Sequence, residues 1–335
     1  MAFSSVIGQK YALERLGTLF SGEPGHAYLI TGPSGVGKTL IAKETAKALL
    51  CSQPTSQGSC GVCPACRYIE AGSHPDFREL ALASGEKNIK VAEVRSRICA
   101  DVNIYPQISK RKVYLIDGDG LNEEGQNALL KTLEEPPPYA VFILTAVDAG
   151  ILLDTIVSRS VVISLVPNTE QEILQILEKR LGLTGGDALF YARYSNGIPG
   201  HAIALASSPW FSDLRSETMT LLFKLPVEGK TYALTEGYSW FDSNKDHIPE
   251  VLLIMDLVLR DMVLLLSVRG KSSLLNSDKK DNMIHILNQN KLTVSNIERA
   301  GKAVTHAAQA LSSNCSFEST VCQMLLSIQK ELKNA

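Results

Sequence analysis

Residues 32–39 read Gly-Pro-Ser-Gly-Val-Gly-Lys-Thr and fit the pattern G-x-x-x-x-G-K-[ST] in full. Glycines let the backbone curl so that successive N–H groups face one anion. In such a loop Gly32, Gly35 and Gly37 shape the cradle, Lys38 reaches the β- and γ-phosphates, and Thr39 holds Mg²⁺. The context agrees, because the apolar strand Tyr28–Thr31 precedes the loop and a helix, Leu40–Leu50, follows it. The helix N-terminus adds partial positive charge. The expected ligand is ATP with Mg²⁺; the alternative is a loop that binds nothing, and hydrolysis is a separate claim.

A second chemical cluster follows at once. Cys51, Cys60, Cys63 and Cys66 give C-x8-C-x2-C-x2-C. Four thiolates within so short a span suit a tetrahedral, all-thiolate zinc site. The stretch between the first two, SQPTSQGS, is a polar loop that metal binding would support. No open coordination position is implied, so the zinc would be structural; unligated thiols or an iron–sulfur cluster are the alternatives. Cys99, Cys315 and Cys322 read as core or surface thiols.

These residues need a scaffold. The chain has 335 residues, 45% hydrophobic and 20% charged, which points to about two globular domains with room for a third. Lys+Arg of 33 against Asp+Glu of 35 leaves a net charge of -2, so there is no global basic field to hold DNA. The opening MAFSSVIGQK lacks the basic and apolar regions of a secretory signal. The apolar stretch Val251–Val268 contains Asp256, Arg260 and Asp261 and reads as a buried helix, not a membrane span. A cytoplasmic chain without membrane contact is expected, and there seven cysteines suggest metal or free thiols.

Residues 1–166 alternate helical patterns with the short apolar runs His26–Thr31, Val113–Asp117 and Val141–Thr145, with Val161–Val166 as a further candidate strand. That rhythm predicts an α/β domain with a mostly parallel sheet. Residues 167–208 read as a small helical domain with a break at Gly185–Gly186. Residues 209–335 read as all-helical, through Leu214–Leu225, Pro249–Val268, Lys279–Asn288, Ser295–Leu311 and Glu318–Lys333. Loops are expected at Pro226–Gly229, Gly270–Ser277 and Ser312–Asn314.

The run Val113–Asp117, VYLID, reads as the strand that ends in the Mg²⁺-side aspartate of a P-loop NTPase, here Asp117. With these motifs in order, the chain resembles the bacterial clamp-loader subunits of DNA polymerase III, of the AAA+ class. Residues 126–137, QNALLKTLEEPP, are similar to that family's signature; so are Ser158-Arg159-Ser160, Phe3–Gln9 and His26–Thr39. The resemblance covers about residues 1–207. It implies a zinc-bearing P-loop AAA+ domain, a helical lid and a helical collar that forms a ring.

The resemblance also assigns roles. Thr145 matches sensor 1, and GIPGHA at 197–202 matches the sensor 2 segment, with His201 where an arginine is usual. A neutral histidine would hold a γ-phosphate weakly. AAA+ ATPases usually follow the aspartate with a glutamate that orients the attacking water, whereas here Gly118 follows. Asp119 or Glu123 could fill that role only through a local loop. Both departures, with the chain's length, make it more similar to the delta-prime type than to the gamma/tau ATPase, the alternative. The implied partners are gamma/tau and delta subunits in a heteropentamer, the sliding clamp, and primer–template DNA through the assembly. Arg159 would reach a neighbour's ATP site as a finger in trans, against the alternative of capping a helix or pairing with a local carboxylate. Lys110-Arg111-Lys112 reads as a solvated edge, with contact to DNA phosphates as the alternative; Met255 and Met262 read as core, and His26, His74, His247, His285 and His306 show no ligand spacing.

Overall fold

The computed structural model describes residues 3, 6–20, 24–55, 58–83, 85–267, 274–313 and 315–333. Residues 56–57 of the cysteine loop, 4–5 of the opening segment, Val268, 270–273 and Asn314 lie outside them. The chain falls into two compact units, residues 1–204 and 205–335.

The first unit is built on five strands: β1 (Ala27–Thr31), β2 (Phe77–Leu80), β3 (Lys112–Asp117), β4 (Ala140–Ala146) and β5 (Val161–Ser164). Their order is β2-β3-β4-β1-β5, and every neighbouring pair is parallel. Parallel neighbours require crossovers, and helices provide them while covering both faces. All of β1 and all of β4 are buried, as expected for central strands. The period of two divides β3 and β4 between two cores. Tyr114, Ile116, Phe142 and Leu144 pack with Leu129 and Leu133 of α5 (Glu123–Glu134). Val113, Leu115, Val141 and Ile143 pack with Ile41, Ala42 and Ala46 of α2 (Lys38–Leu50). This places the C-terminal ends of β1, β3 and β4 side by side, with α2 rising from the first.

Helix boundaries follow local chemistry. Asn122 caps α5 by accepting from the Gly125 N–H at 2.9 Å, and Pro136–Pro138 follow its end. Thr169 and Glu172 form a capping box for α7 (Glu170–Leu181), which ends on Gly182 in the left-handed region (φ 67°). Helices α8 (Gly185–Tyr194) and α9 (Pro199–Ala206) complete this helical stretch. The break expected at Gly185–Gly186 falls between α7 and α8: residues 182–184 separate the helices, and Gly185, the first residue assigned to α8, still has a left-handed φ of 74°.

Strand β2 escapes the sequence reading. Its residues, Phe-Arg-Glu-Leu, alternate weakly, and only Leu80 is buried. The basic run before β3 is corrected at its last residue: Lys112 is buried and its Nζ pairs with Asp101 Oδ2 at 2.8 Å, whereas Lys110 is exposed and Arg111 half-buried.

The second unit is helical: α10 (Pro209–Tyr232), α11 (Tyr238–Ser243), α12 (Ile248–Ser267), α13 (Lys280–Gln289), α14 (Val294–Ser312) and α15 (Phe317–Leu332). The loop expected at Pro226–Gly229 is instead a kink within α10 at Gly229 (φ 85°). Met255 and Met262 are fully buried in α12. Asp261 is also fully buried, and it accepts from Leu275 N (3.2 Å), Asn276 N (2.7 Å) and Asn276 Nδ2 (2.9 Å). Those donors explain how a carboxylate sits inside an apolar helix. Among the described residues no helix is long and apolar enough to cross a membrane.

Candidate nucleotide site and metal centre

The phosphate loop leaves β1 and turns through three glycines with positive φ: Gly32 (147°), Gly35 (78°) and Gly37 (110°). A side chain at Gly32 would place its Cβ 2.8 Å from the Leu165 carbonyl oxygen, so the first turn requires glycine for space as well as for φ. Gly37 precedes α2 and offers no side-chain cap, which leaves the first-turn N–H groups available to an anion. Lys38 Nζ meanwhile donates to the Gly32 carbonyl at 2.8 Å and to that of Pro33 at 3.3 Å.

Two cavities flank this loop, and both are lined by Gly35 and Gly37. One, of about 380 Å³, is largely apolar and includes Val6, Ile7, Val36, Ile176 and Ile203. The other, of about 330 Å³, gathers Lys38, Thr39, Asp117 and Thr145 with Glu79 and Asp119. A flat apolar group fits the first and a phosphate chain with its cation fits the second, with the loop between them. Gln9 ties the opening segment beside this site, donating to Asn168 Oδ1 at 3.1 Å, while Asn168 Nδ2 donates to the Ile7 carbonyl at 3.1 Å.

Asp117 and Thr145 sit opposite each other in the β3–β4 register. Immediately beyond, the Gly118 N–H donates to the Thr145 carbonyl at 2.8 Å. A Cβ at position 118 would stand 2.8 Å from that same oxygen and 3.3 Å from Leu152 Cδ2. Asp119 is exposed and lines the polar cavity, and its Oδ1 accepts from the Val147 N–H at 2.8 Å. Glu123 is in the first turn of α5 and is not among the residues lining the polar cavity. Gly200 N–H donates to the Gly35 carbonyl at 2.9 Å, which sets the start of α9 against the loop. His201 follows there, but its side chain lines neither cavity.

Arg159 lies away from this cavity, after the short helix α6 (Asp154–Val157). Its guanidinium donates to the Thr155 carbonyl at 2.9 Å and pairs with Glu134 at 3.0 Å. The neighbouring Ser160 Oγ donates to the Ile156 carbonyl at 2.8 Å.

The four cysteines converge. Cys51 ends α2, Cys63 caps α3 (Pro64–Glu70), and Cys66 lies in the first turn of α3. Their sulfurs all lie within 4.8 Å of one another, with Cys51 and Cys63 at 3.9 Å. A tetrahedral zinc thiolate with bonds of about 2.3 Å requires sulfurs about 3.8 Å apart, so the donor set fits this metal. Burial pushes the Cys66 thiol up to about 12. Cys63 is desolvated as well, yet hydrogen bonds led by Ser52 outweigh that and bring it down to about 5. Thiols packed this closely ionise together only beside a cation. A Lys47–Glu70 ion pair fastens α3 to α2.

One buried cluster has no sequence signal. His74 accepts from the Asp76 N–H through Nδ1 at 3.0 Å, and its Nε2 lies 3.2 Å from Ser109 Oγ. Ser109 Oγ donates to the Leu50 carbonyl at 3.1 Å, at the junction of α2 with Cys51. Asp76 is fully buried and accepts from the N–H groups of Gln107 (2.6 Å), Ile108 (2.9 Å) and Ser109 (2.8 Å). Desolvation works against its charge, but these donors hold its carboxyl below the usual range. Burial lowers the His74 imidazole and keeps it neutral. The residues meet only through the fold.

The sequence model of the family described as "DNA polymerase III, delta subunit" matches residues 8–169. The chain is 38% identical to DNA polymerase III subunit delta' of Pseudomonas aeruginosa over 177 residues, covering 49% of this chain and 54% of that one. It is 35% identical to DNA polymerase III subunit gamma of Buchnera aphidicola (subsp. Schizaphis graminum) over 254 residues, covering 73% of this chain and 69% of that one. It is 33% identical to subunit delta' of Escherichia coli over 215 residues, covering 64% of each. The chain thus spans about half to two thirds of the length of these delta' relatives.

Proposed function

The chain belongs to the delta-prime and gamma/tau family of DNA polymerase III clamp-loader subunits, and from that premise we propose that it is a loader subunit of the delta-prime type. In this reading it holds ATP with Mg²⁺ at its own P-loop, hydrolyses it weakly or not at all, and completes a neighbour's site with Arg159. Residues 1–166 serve as the nucleotide-binding domain, 167–208 as the lid and 209–335 as a ring-forming collar. Gamma/tau and delta subunits complete the heteropentamer, which opens the sliding clamp and sets it on primer–template DNA in the cytoplasm.

The observation that carries the reading is the pairing of a complete phosphate loop with Gly118. Gly32, Gly35 and Gly37 would cradle the phosphates, Lys38 would turn from its loop carbonyls to the β/γ-phosphates, and Thr39 and Asp117 would serve Mg²⁺. Thr145 would face the γ-phosphate, and His201 would contribute little. Nothing at 118 can orient water, and Asp119 is engaged with Val147. Base placement tolerates little error, so hydrolysis should be slow. The four cysteines would hold a structural zinc that closes the loop between α2 and α3 and takes no part in the reaction.

A second reading is an active gamma/tau-type ATPase. The intact set Lys38, Thr39, Asp117 and Thr145 around one cavity favours it. ATP turnover by the wild-type chain, in a loader whose other P-loops are disabled, separates the two. Binding of ATP that Lys38→Ala abolishes, with turnover at background, is the expected result; turnover matching a gamma/tau subunit would replace the first reading with the second.

A further inference from the structure

The structure holds Arg159 in a defined way that its motif alone does not supply. Arg159 follows α6, a helix of a single turn, and its side chain is about one-third exposed. A long side chain there carries much rotamer freedom, and fixing it for action in a neighbouring site has an entropic cost. Two contacts on its own chain remove part of that freedom: one guanidinium nitrogen donates to the Thr155 carbonyl at 2.9 Å, and the other pairs with Glu134 Oε1 at 3.0 Å.

Glu134 is the last residue of α5. A carboxylate at a helix C-terminus is opposed by the helix dipole, so this position does not serve the helix. The cation of Arg159 offsets both the carboxylate and the negative helix end. Half-exposed pairs of this kind add little to stability, but a carboxylate does fix the direction of a planar fork.

We propose that Glu134 is the positioning residue for Arg159: it aims the guanidinium outward from α6 so that the remaining N–H groups meet a neighbour's γ-phosphate. The proposal rests on the reading of Arg159 as a finger acting in trans. Glu134 itself touches neither nucleotide nor metal. The geometry also explains how the signature segment at 126–137 and the motif at 158–160 act together, since the last helical residue of the first segment grips the central residue of the second.

The test is a double-mutant cycle on clamp- and DNA-stimulated ATP turnover by the reconstituted loader, with assembly checked by size-exclusion chromatography. Glu134→Ala should lower kcat by about tenfold with KM for ATP unchanged, because the arginine acts in the transition state. Glu134→Gln, which keeps an acceptor and loses the charge, should recover part of the loss. In the Arg159→Ala background, Glu134→Ala should have no further effect. Wild-type turnover in Glu134→Ala, or an equal loss in both backgrounds, would overturn the proposal while leaving the finger intact. Full turnover in Arg159→Ala would remove the finger and this proposal with it.

Discussion

The backbone N–H of Gly118 donates to the carbonyl of Thr145 at 2.8 Å, so the residue after Asp117 is joined to the end of β4. Asp119 adds a second stitch to the Val147 N–H. Under the proposed function, the position where a catalytic glutamate is expected therefore holds no side chain and has little room for one.

Restoring the acid should consequently fail. In Gly118→Glu the new Cβ would meet the Thr145 oxygen at 2.8 Å and the buried Leu152 side chain at 3.3 Å. Backbone displacement of this kind costs about 1–3 kcal/mol. The expected result is a lower urea midpoint with no gain in turnover at this chain's own site. A Gly118→Glu loader that hydrolyses ATP there, with its other P-loops disabled, would show that the turn yields.

The cysteine cluster should bind one zinc ion per chain, measured by atomic absorption on the purified protein. Cys63→Ser should lose the metal and lower the melting temperature, because the ion fixes the loop between α2 and α3; structural zinc is worth about 10–16 kcal/mol in small peptides. Since the ligands bind as thiolates, acid should release the ion. Equal metal content in wild type and Cys63→Ser would contradict a four-thiolate site.

His74 makes a separate pH prediction. Its imidazole is held below the ordinary value of 6.5 by burial, so the unfolded chain takes up a proton first as pH falls. Its contribution to stability is full above about pH 6.5 and declines as pH drops through the interval below it. Protonation at Nδ1 would remove the acceptor for the Asp76 N–H. His74→Gln cannot titrate and should show a flatter stability profile between pH 7.5 and 5.5 in urea unfolding. Metal loss in that range would affect both proteins alike. Parallel profiles would rule out His74 as a titrating group. Asp76 acts lower: its depressed carboxyl loses its contribution only below its ordinary 3.8.

What the sequence revealed depended on range. The phosphate loop and the four cysteines are local patterns, and β3 and β4 are short apolar runs, so spacing alone located them. Strand β2 was hidden because Arg78 and Glu79 break its apolar run. The burial of Lys112, at the end of the basic run, was hidden because its counter-ion, Asp101, lies eleven residues earlier in the chain. The engagement of Asp119 with Val147 spans 28 residues, and that of Arg159 with Glu134 joins two separate motifs. His74, Asp76 and Ser109 meet only when β2 and β3 pair, so no periodicity announces them.

The most direct test of the account is ATP turnover by the loader reconstituted with Arg159→Ala, stimulated by clamp and primer–template DNA. The account predicts a loss of tenfold or more, about 1.4 kcal/mol of transition-state stabilisation, with assembly and this chain's own ATP binding unchanged. Turnover equal to wild type would contradict a finger acting in trans and leave the chain a passive member of the ring.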